Sequence, residues 1–426
     1  MLGIKPESGK AGGMAKTLYL TQDGITDHIG QAQIAPYLIG LARLGHSIHI
    51  VSAEKSGRRE AIARYEAIFA EAGIRWSRVR YTNRPPLISS FYTMALLWRA
   101  AKEIAKREKP QIIHCRSYLP LGIAARLKRQ FGGRYLADFR DFWADVGIET
   151  KRFKFVFRWF LKREPDVLAP ADHVVTLTDR AADLLIDRHP HVARGSRENY
   201  TVIPCCADFA LFDRGRVDPA SIARRREALA IPGDATVMLY LGSLGADYLL
   251  AEMMALFREL RALRPNTIFL LLVNNGQDLA KAEAAAHGIP ESALRFTSSD
   301  RRHIPEYLAL ASVAPVFIRP TLSKAGCSPT KLGELFAMDV PIVANTGFGD
   351  IDRIVSPDRN GSVVVHDFEP QTLRAALETV LSGDRTTAGI REASGEFSLE
   401  EGVRRYDTIY RNLSGAAADA APANRA

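Results

Sequence analysis

The sequence predicts an α/β protein made of two Rossmann-like, doubly wound domains that face each other across a cleft. Its 426 residues suit two domains of about 200 residues each. Short β-rich runs alternate with helix-period segments along the whole chain, which is typical of parallel sheets covered by helices. The alternation stops in a polar, arginine-rich stretch at residues 209–233 and then restarts. We expect this stretch to connect the two domains.

The candidate strands are short, apolar and evenly distributed over both halves. In the first half they cover residues 17–21, 47–52, 75–81, 111–115, 134–139, 173–177 and 201–203. In the second half they cover residues 237–241, 267–273, 294–297, 313–318, 341–344 and 362–365. The chain is accordingly expected to consist of a flexible extension at 1–15, an N-terminal Rossmann-like domain at 16–208, the connection at 209–233, a C-terminal Rossmann-like domain at 234–395, a helix at 396–413 and a flexible tail at 414–426.

Composition excludes several classes of protein. Hydrophobic residues make up 47% and charged residues 25% of the chain, as in an average soluble enzyme. No apolar run approaches the ~20 residues of a membrane span, and the first 13 residues lack the apolar core of a signal peptide. The four cysteines have no C-x-x-C spacing, so we expect neither a disulfide framework nor a zinc site. A cytoplasmic protein without metal or cofactor is the expectation.

Charge is distributed unequally between the halves. Residues 1–205 contain 33 Lys and Arg against 20 Asp and Glu, whereas residues 206–426 contain 24 against 28. The basic first half is therefore expected to meet a polyanion, a membrane surface or an acidic substrate. No RNA- or DNA-binding module is recognisable, which argues against nucleic acid as a partner.

The most informative run is residues 328–345, SPTKLGELFAMDVPIVAN. Ser328 is a plausible helix N-cap with Pro329 at the first helical position and Thr330 next. The start of a helix that follows a strand and a loop offers free N–H groups and a positive dipole to an anion. Lys331 adds a charge, and Glu334, one turn later, could accept from both hydroxyls of a ribose. A plain capped helix with a surface glutamate is the alternative.

These residues resemble the donor site of the retaining GT-B glycosyltransferases, family 4 in particular. In the second half, the resemblance rests on four segments: Arg319-Pro320-Thr321, Ser328-Pro329-Thr330-Lys331, Glu334-Leu335-Phe336-Ala337 and Pro341-Ile342-Val343-Ala344. It extends to the segments before them, which are residues 23–52, Ile112-Ile113-His114, Val202-Ile203-Pro204, Asp208 and Phe212. It implies transfer of a sugar, with retention, from a nucleotide-diphosphate sugar such as a UDP or GDP sugar. The implied acceptor is a lipid-linked or surface glycan.

The chain departs from the family at two donor-site positions. Gly326 stands where the family has the first glutamate of an acidic pair, which leaves the transferred sugar open. Residues 242–248, which include Gly242 and Ser243, replace a glycine-rich loop whose lysine meets the diphosphate. Candidate replacements for that cation are Arg319, Lys324 and Lys331. Asn275 lies in a turn that resembles one where the family's backbone approaches the donor, although an ordinary βα turn is the alternative.

The first half supplies the candidate reaction residues. Gly30 is expected in the loop between the first strand and a helix that starts near Gln33, where its missing Cβ would let the backbone approach a phosphate. His28 shares that loop, and the alternative for it is a solvated histidine.

Arg140 stands where the family usually has a histidine that faces the transferred sugar. An arginine there can stabilise charge on the donor phosphate or bind an acidic acceptor, but it cannot act as a base. Asp141 is the candidate base. The alternative for Asp141 is an ion pair with Arg116 or Arg140.

Residues 151–163, KRFKFVFRWFLKR, predict one helix. Its expected core face contains Phe153, Val156, Phe157, Phe160 and Leu161. On the opposite face, Phe155 and Trp159 stand among Lys151, Arg152, Arg158 and Lys162. Aromatic and basic residues together suit the headgroup layer of an anionic bilayer, so the helix predicts a peripheral protein on the inner face of the membrane. Contact of the two aromatics with another part of the protein is the alternative.

Two other functions remain compatible with the sequence. A sugar-nucleotide epimerase of the same fold would bind the donor without an acceptor and would have no use for the basic aromatic helix. A catalytically degenerate, sugar-nucleotide-binding scaffold is suggested by Gly326 and by the missing lysine.

Overall fold

The computed structural model describes residues 14–82, 84–85, 88–151, 153–245, 247–382 and 389–419. The chain divides into two compact units. Unit 1 comprises the described residues up to Thr176, Leu185–Val202 and the described residues from Val403 to Asp419. Unit 2 comprises Leu177–Leu184 and Ile203–Gly402. Among the described residues, no helix combines the length and the apolar composition that a membrane span requires.

Unit 1 is built on a seven-stranded parallel sheet. Its strands are β1 (Lys16–Thr21), β2 (Ser47–Glu54), β3 (Arg75–Arg80), β4 (Ile112–Arg116), β5 (Arg134–Asp138), β6 (His173–Thr176) and β7 (Tyr200–Val202). They lie in the order β3-β2-β1-β4-β5-β6-β7. The order reverses between β1 and β4, the point where ligands of such sheets bind beyond the carboxyl ends of the strands. Tyr19 of β1 is in register with His114 of β4 at this point.

Helices cover the sheet of unit 1. They are α1 (His28–Gln33), α2 (Ala35–Arg43), α3 (Arg59–Glu71), α4 (Ile88–Glu108), α5 (Leu121–Phe131), α6 (Trp143–Thr150) and α7 (Lys154–Leu168). Helix α8 (Asp179–Arg188) belongs to unit 2 as far as Leu184 and to unit 1 from Leu185. The last helix of the chain, Leu399–Asp419, also belongs to unit 1 from Val403 onward.

This C-terminal helix extends beyond the expected range of 396–413. Tyr410 and Leu413 are buried, and the Tyr410 hydroxyl lies 2.8 Å from Nδ1 of His114. Asp407 accepts from His46 at 2.7 Å. Tyr410 and Leu413 lie in the core of unit 1, and the helix continues through Ser414 to Asp419, where the sequence predicts a flexible tail.

Unit 2 contains two three-stranded parallel sheets. Their strands are β8 (Thr236–Leu241), β9 (Thr267–Leu272), β10 (Leu294–Thr297), β11 (Ala314–Val316), β12 (Ile342–Asn345) and β13 (Val363–Val365). The sheets have the orders β10-β9-β8 and β11-β12-β13, and a parallel bridge between Met238 and Val313 joins them. Along β8, Val237 and Leu239 enter one core cluster and Met238 enters the other, as expected for a strand buried on both faces.

The remaining helices surround these strands. They are α9 (Pro219–Ala228), α10 (Leu250–Leu263), α11 (Gln277–Ala286), α12 (Ile304–Leu308), α13 (Thr330–Ala337), α14 (Ile351–Ile354), α15 (Pro357–Asn360), α16 (Pro370–Leu381) and α17 (Ile390–Ala393). The C-terminal helix, α18 (Leu399–Asp419), belongs to unit 2 only as far as Gly402. Residues 209–233, expected as the connection between the domains, lie inside unit 2. Phe212 is fully buried in its core, and Asp218 caps α9.

Thirteen described strands coincide with the thirteen predicted runs, with ends that differ by at most two residues. The two-domain α/β fold with parallel sheets is therefore confirmed. Parallel strands are buried on both faces, so their apolar runs are visible in the sequence without tertiary information.

Candidate functional site

Helix α13 begins one residue later than the sequence predicts. Pro329 is the N-cap residue, with an extended backbone (ψ 132°), and Thr330 is the first helical residue. Ser328 does not cap the helix; its hydroxyl instead accepts from the backbone N–H of Cys205 at 3.2 Å. The start of α13 still presents N–H groups and the positive end of the helix dipole, because an N-terminal first turn has no intrahelical acceptors for them.

Lys331, in the first turn of α13, is buried beside two tyrosine rings. Its Nζ lies 4.2 Å from the ring centroid of Tyr240 and 4.3 Å from that of Tyr248. The residue is only 8% exposed, and none of the described residues accepts a hydrogen bond from Nζ. Burial lowers the pKa of Lys331 to about 7, although Cys327 and Glu334 act in the opposite direction. An amine in this position would be stabilised as a cation by an anion.

Gly242 brings the end of β8 against the same amine. Its φ of +127° is a conformation that favours glycine. A Cβ at this position would lie 3.0 Å from Nζ of Lys331. The loop after β8 is thus shaped to leave room for the lysine, and Tyr240 fixes the loop by donating its hydroxyl to the carbonyl of Ser243 at 2.7 Å.

Glu334 lies one turn further along α13 and is 4% exposed. Its Oε1 accepts from Nη1 of Arg301 at 2.6 Å. Burial raises the pKa of Glu334, while the charge and the hydrogen bond of Arg301 lower it. The guanidinium lies 5.2 Å from the ring centroid of Phe212. Lys331, Glu334 and Arg301 therefore form one charged cluster at the start of α13.

The other predicted donor-site residues are near this cluster or on the surface of unit 2. Lys324 pairs with Asp247 at 3.0 Å. Arg319 is exposed, and its backbone N–H donates to the carbonyl of Asp247 at 2.9 Å. Asn275 is exposed in the turn before α11. Among the three candidate cations for the diphosphate, Lys331 is thus the buried one without a hydrogen-bonding partner.

A second charged cluster lies in unit 1, where β4 and β5 end. Asp138 is fully buried, and its two carboxylate oxygens lie 3.3 Å from Nη1 of Arg116 and 3.3 Å from Nη1 of Arg140. Tyr406 donates to the same carboxylate at 3.0 Å. Burial alone would raise the pKa of Asp138, but Arg140, His114 and Arg116 together hold it well below its ordinary value.

The predicted reaction residues of unit 1 differ in their burial. Arg140 is buried and bonded to Asp138 and Tyr406, so Asp138 occupies the ion-pair position that the sequence suggests for Asp141. Asp141 is exposed, and so is His28, the first residue of α1.

Gly30 lies inside α1 rather than in the preceding loop. A Cβ on Gly30 would approach the carbonyl oxygen of Gly24 to 2.1 Å. The close approach that this glycine permits is therefore to the chain's own loop.

Helix α7 exposes an aromatic-basic face, which we define as Phe155, Trp159, Lys154, Arg158 and Lys162. Phe155 is 70% and Trp159 is 52% exposed. The helix begins at Lys154, three residues later than predicted, and Arg152 lies outside the described residues. Phe153, predicted for the core face, is the N-cap residue and is exposed. It precedes the first helical residue, so helical periodicity does not determine which way its side chain faces.

Five contributors to the clusters are not identified from the sequence. These are Tyr240, Tyr248, Arg301, Asp138 and Tyr406. Tyr240 and Asp138 lie inside apolar strand runs. Aromatic residues and single polar residues are common in strands, so neither gives a sign of a functional site. Arg301 follows β10, and its contact with Glu334 spans 33 positions of sequence.

Comparison with known families gives two adjacent matches. "Glycosyl transferase 4-like domain" matches residues 31–206, and "Glycosyl transferases group 1" matches residues 235–383. No curated protein is significantly similar in sequence to the chain.

Several solved structures are similar to the chain in fold. HepE of Anabaena, in complex with UDP and glucose, has a TM-score of 0.66 at 16% identity, over 93% of this chain and 99% of HepE. A glycosyltransferase of Rickettsia africae has a TM-score of 0.68 at 14% identity, over 94% and 98%. Sucrose-phosphate synthase of Thermosynechococcus elongatus has a TM-score of 0.69 at 16% identity, over 94% and 100%.

Proposed function

Because this chain is a GT-B glycosyltransferase that resembles family 4, we propose that it transfers a sugar from a nucleotide-diphosphate sugar to a lipid-linked or surface-glycan acceptor, with retention of configuration. Unit 2 binds the donor, a UDP or GDP sugar, and unit 1 binds the acceptor. The similarity in fold to HepE, whose structure contains UDP and glucose, supports a nucleotide-sugar donor.

The observation that carries this proposal is the buried amine of Lys331. An unpaired ammonium is costly to bury, so an apolar site that contains one is stabilised when an anion enters. The diphosphate of a nucleotide sugar would supply that anion at the start of α13, where helix N–H groups also point. Lys331 then takes the place of the lysine that the family carries after β8, and Gly242 leaves the space for it.

Glu334 provides the second recognition element. Its carboxylate lies one turn beyond Lys331, which suits a ribose whose hydroxyls donate to it while the phosphates meet the lysine. Ser243, Asn275 and Arg319, on the loops around this cluster, complete the proposed donor site together with Ser328, Pro329 and Thr330.

Retention requires no strong protein base if the leaving phosphate accepts the proton of the acceptor. Arg140 suits such a reaction because a guanidinium stabilises developing negative charge and cannot remove a proton. Asp141, exposed on unit 1, is the alternative proton acceptor to that phosphate, and His28, also exposed there, is the proposed acceptor-contacting group. The anomeric configuration of the product, determined by NMR, tests this assignment, and an inverted product would contradict it.

The aromatic-basic face of α7 is the proposed membrane contact. The ten residues 154–163, KFVFRWFLKR, include four basic and no acidic residues. Two exposed aromatics on such a helix suit the headgroup layer of an anionic bilayer at the inner face of the membrane. Docking there would bring unit 1 to a lipid-linked acceptor.

Vesicle flotation tests the membrane contact. Replacement of Phe155 and Trp159 together by Ser should reduce flotation with phosphatidylglycerol vesicles even at low salt, because burial of aromatics is insensitive to screening. Replacement of Leu279 by Ser removes an equally exposed apolar residue from unit 2 and serves as the control. A double variant that floats like the wild type would contradict the contact.

Titration calorimetry with UDP, GDP and inorganic pyrophosphate tests the donor site. Lys331→Met should lose about tenfold or more in affinity for the preferred diphosphate, since hydrogen bonds to charged groups contribute ~1.5–3 kcal/mol. Lys324→Met is the matched control, because the amine of Lys324 already pairs with Asp247. Unchanged affinity in Lys331→Met would contradict the proposed site, and transfer assays with a panel of nucleotide sugars identify the donor.

A further inference from the structure

Arg301 holds one oxygen of the carboxylate that is proposed to bind the ribose. The distance from its Nη1 to Oε1 of Glu334 is 2.6 Å. Among the described residues, no other side chain donates to this carboxylate. No described backbone N–H donates to Oε2 either, and Oε2 is not one of the described polar atoms that are both fully enclosed and without a partner. One oxygen is therefore occupied, and the other remains available to a ligand.

The guanidinium is itself held in place. It lies 5.2 Å from the ring centroid of Phe212, which is fully buried in the core of unit 2. Arg301 follows β10, whereas Glu334 belongs to α13, so the pair joins two elements that are separate in the sequence. A planar guanidinium packed over an aromatic ring loses little further freedom when it binds a carboxylate.

From this geometry we propose that Arg301 is a positioning residue for the donor: it fixes Glu334 through Oε1 so that Oε2 accepts from a ribose hydroxyl. This inference rests on the proposed function, in which Glu334 meets the ribose. It assigns selectivity for a ribonucleotide over a deoxyribonucleotide to the pair Arg301–Glu334 rather than to the glutamate alone.

Arg301 also affects the protonation of Glu334. Burial raises the pKa of this carboxyl, and Arg301 is the first opposing influence, followed by Lys331. Without Arg301 the carboxyl would take up a proton at a higher pH, and a protonated carboxyl is a poorer acceptor for a ribose hydroxyl. Loss of Arg301 should therefore weaken binding of a ribonucleotide most strongly on the acidic side.

Lys331 titrates in the same cluster, so the pH dependence that it causes must be separated from the pH dependence caused by Arg301 and Glu334. The amine is needed in its charged form for a diphosphate, so its titration weakens binding as the pH rises above about 7. That alkaline loss should be present in the wild type and in an Arg301 variant alike. The diagnostic quantity is the affinity ratio between a ribonucleotide and its 2′-deoxy analogue, because both nucleotides carry the same diphosphate.

The experiment is calorimetric titration of the full chain with UDP and 2′-deoxy-UDP, or with GDP and 2′-deoxy-GDP if guanine is preferred, between pH 5.5 and 8.5. The variants are Arg301→Gln, Arg301→Lys and Glu334→Gln. Arg302→Gln is the matched control, since the neighbouring Arg302 is exposed and does not reach Glu334. Thermal unfolding of each variant confirms that it is folded.

The wild type and Arg302→Gln should prefer the ribonucleotide by about tenfold, the value of one charge-assisted hydrogen bond. Arg301→Gln should lose most of this preference, with the largest loss at acidic pH, and Arg301→Lys should restore part of it. An Arg301→Gln variant that keeps the wild-type ratio at every pH would overturn the inference.

The same titrations distinguish failure of the inference from failure of the proposed function. If Glu334→Gln loses the preference and Arg301→Gln keeps it, Glu334 binds the ribose without help and only the positioning role is overturned. If the wild type shows no preference and Glu334→Gln binds both nucleotides normally, Glu334 does not meet the ribose. That second outcome would overturn the proposed donor site together with the inference.

Discussion

The two units bury charge in different ways. In unit 1, Asp138 is surrounded by Arg116, Arg140 and Tyr406, so the carboxylate is fully compensated by the protein itself. In unit 2, Lys331 lies between two tyrosine rings, and no described residue accepts a hydrogen bond from it. Removal of one member of a compensated buried cluster is costly, whereas a buried amine without a hydrogen-bonding partner suits an anionic ligand.

The comparison also separates two kinds of arginine. Arg140 belongs to the compensated cluster, and Arg301 belongs to the cluster with the uncompensated amine. Both bind a buried carboxylate, but within the described part of the chain Asp138 has several donors and Glu334 has one. A carboxylate with one donor keeps an oxygen for a substrate.

The largest expected effect is on the compensated cluster. Asp138→Ala should destabilise unit 1 by about 3–5 kcal/mol, because it leaves two buried guanidinium groups without their carboxylate. The pKa of Asp138 is depressed, so its contribution is present at neutral pH and is lost only as the pH falls below its ordinary range. Urea unfolding of the apo chain at pH 7 measures it, and a change within error would mean that the cluster is compensated elsewhere.

The uncompensated amine of Lys331 should destabilise the folded chain at neutral pH and should cost less stability as the pH rises. Because the pKa of Lys331 is lowered to about 7, the unfolded chain binds more protons than the folded one between pH 7 and about 10. The wild type should therefore gain stability relative to Lys331→Met as the pH rises through this window, by an amount on the order of a few kcal/mol. Thermal melts of both apo proteins at several pH values measure the stability difference between them. A stability difference that does not change with pH would contradict the lowered pKa of Lys331.

Glu334→Ala tests the cluster of unit 2 at its second position. It should weaken binding of the preferred nucleotide by about 1.5–3 kcal/mol and leave the fold intact, since a ribose loses a charged acceptor. Calorimetry at pH 7 gives the affinity, and near-ultraviolet circular dichroism checks the fold. Retained affinity would identify the start of α13 as a structural feature.

The smallest expected effect concerns Arg140 in its proposed chemical role. Arg140→Ala should lower turnover by about tenfold, equivalent to about 1.4 kcal/mol, with little change in donor affinity, because its charge acts on the departing phosphate. Measurement of kcat beside the calorimetric affinity separates the two, at a temperature where the variant is folded. Near-normal turnover in the folded variant would mean that Arg140 stabilises unit 1 and has no role in the reaction. Arg116 would then be the next candidate.

Local patterns predict well where packing reinforces them. The strands are found because apolar runs suffice for parallel strands, and α13 is found because a proline-marked start precedes an apolar stretch. The predictions differ from the structure where the chain chooses between neighbouring positions. Ser328 bonds to Cys205 instead of capping α13, and α7 starts at Lys154, because tertiary hydrogen bonds and packing select one of several possible starts.

The sequence by itself determined the α/β class, the two parallel-sheet domains, the resemblance to a glycosyltransferase family and the outward position of Phe155 and Trp159. Only the tertiary structure decided which charged residues are compensated, because an ion pair such as Arg301–Glu334 joins segments far apart in the chain. It also placed the C-terminal helix from Val403 onward on unit 1 and residues 209–233 in unit 2. Burial and partner choice depend on contacts between distant segments, and no local pattern encodes them.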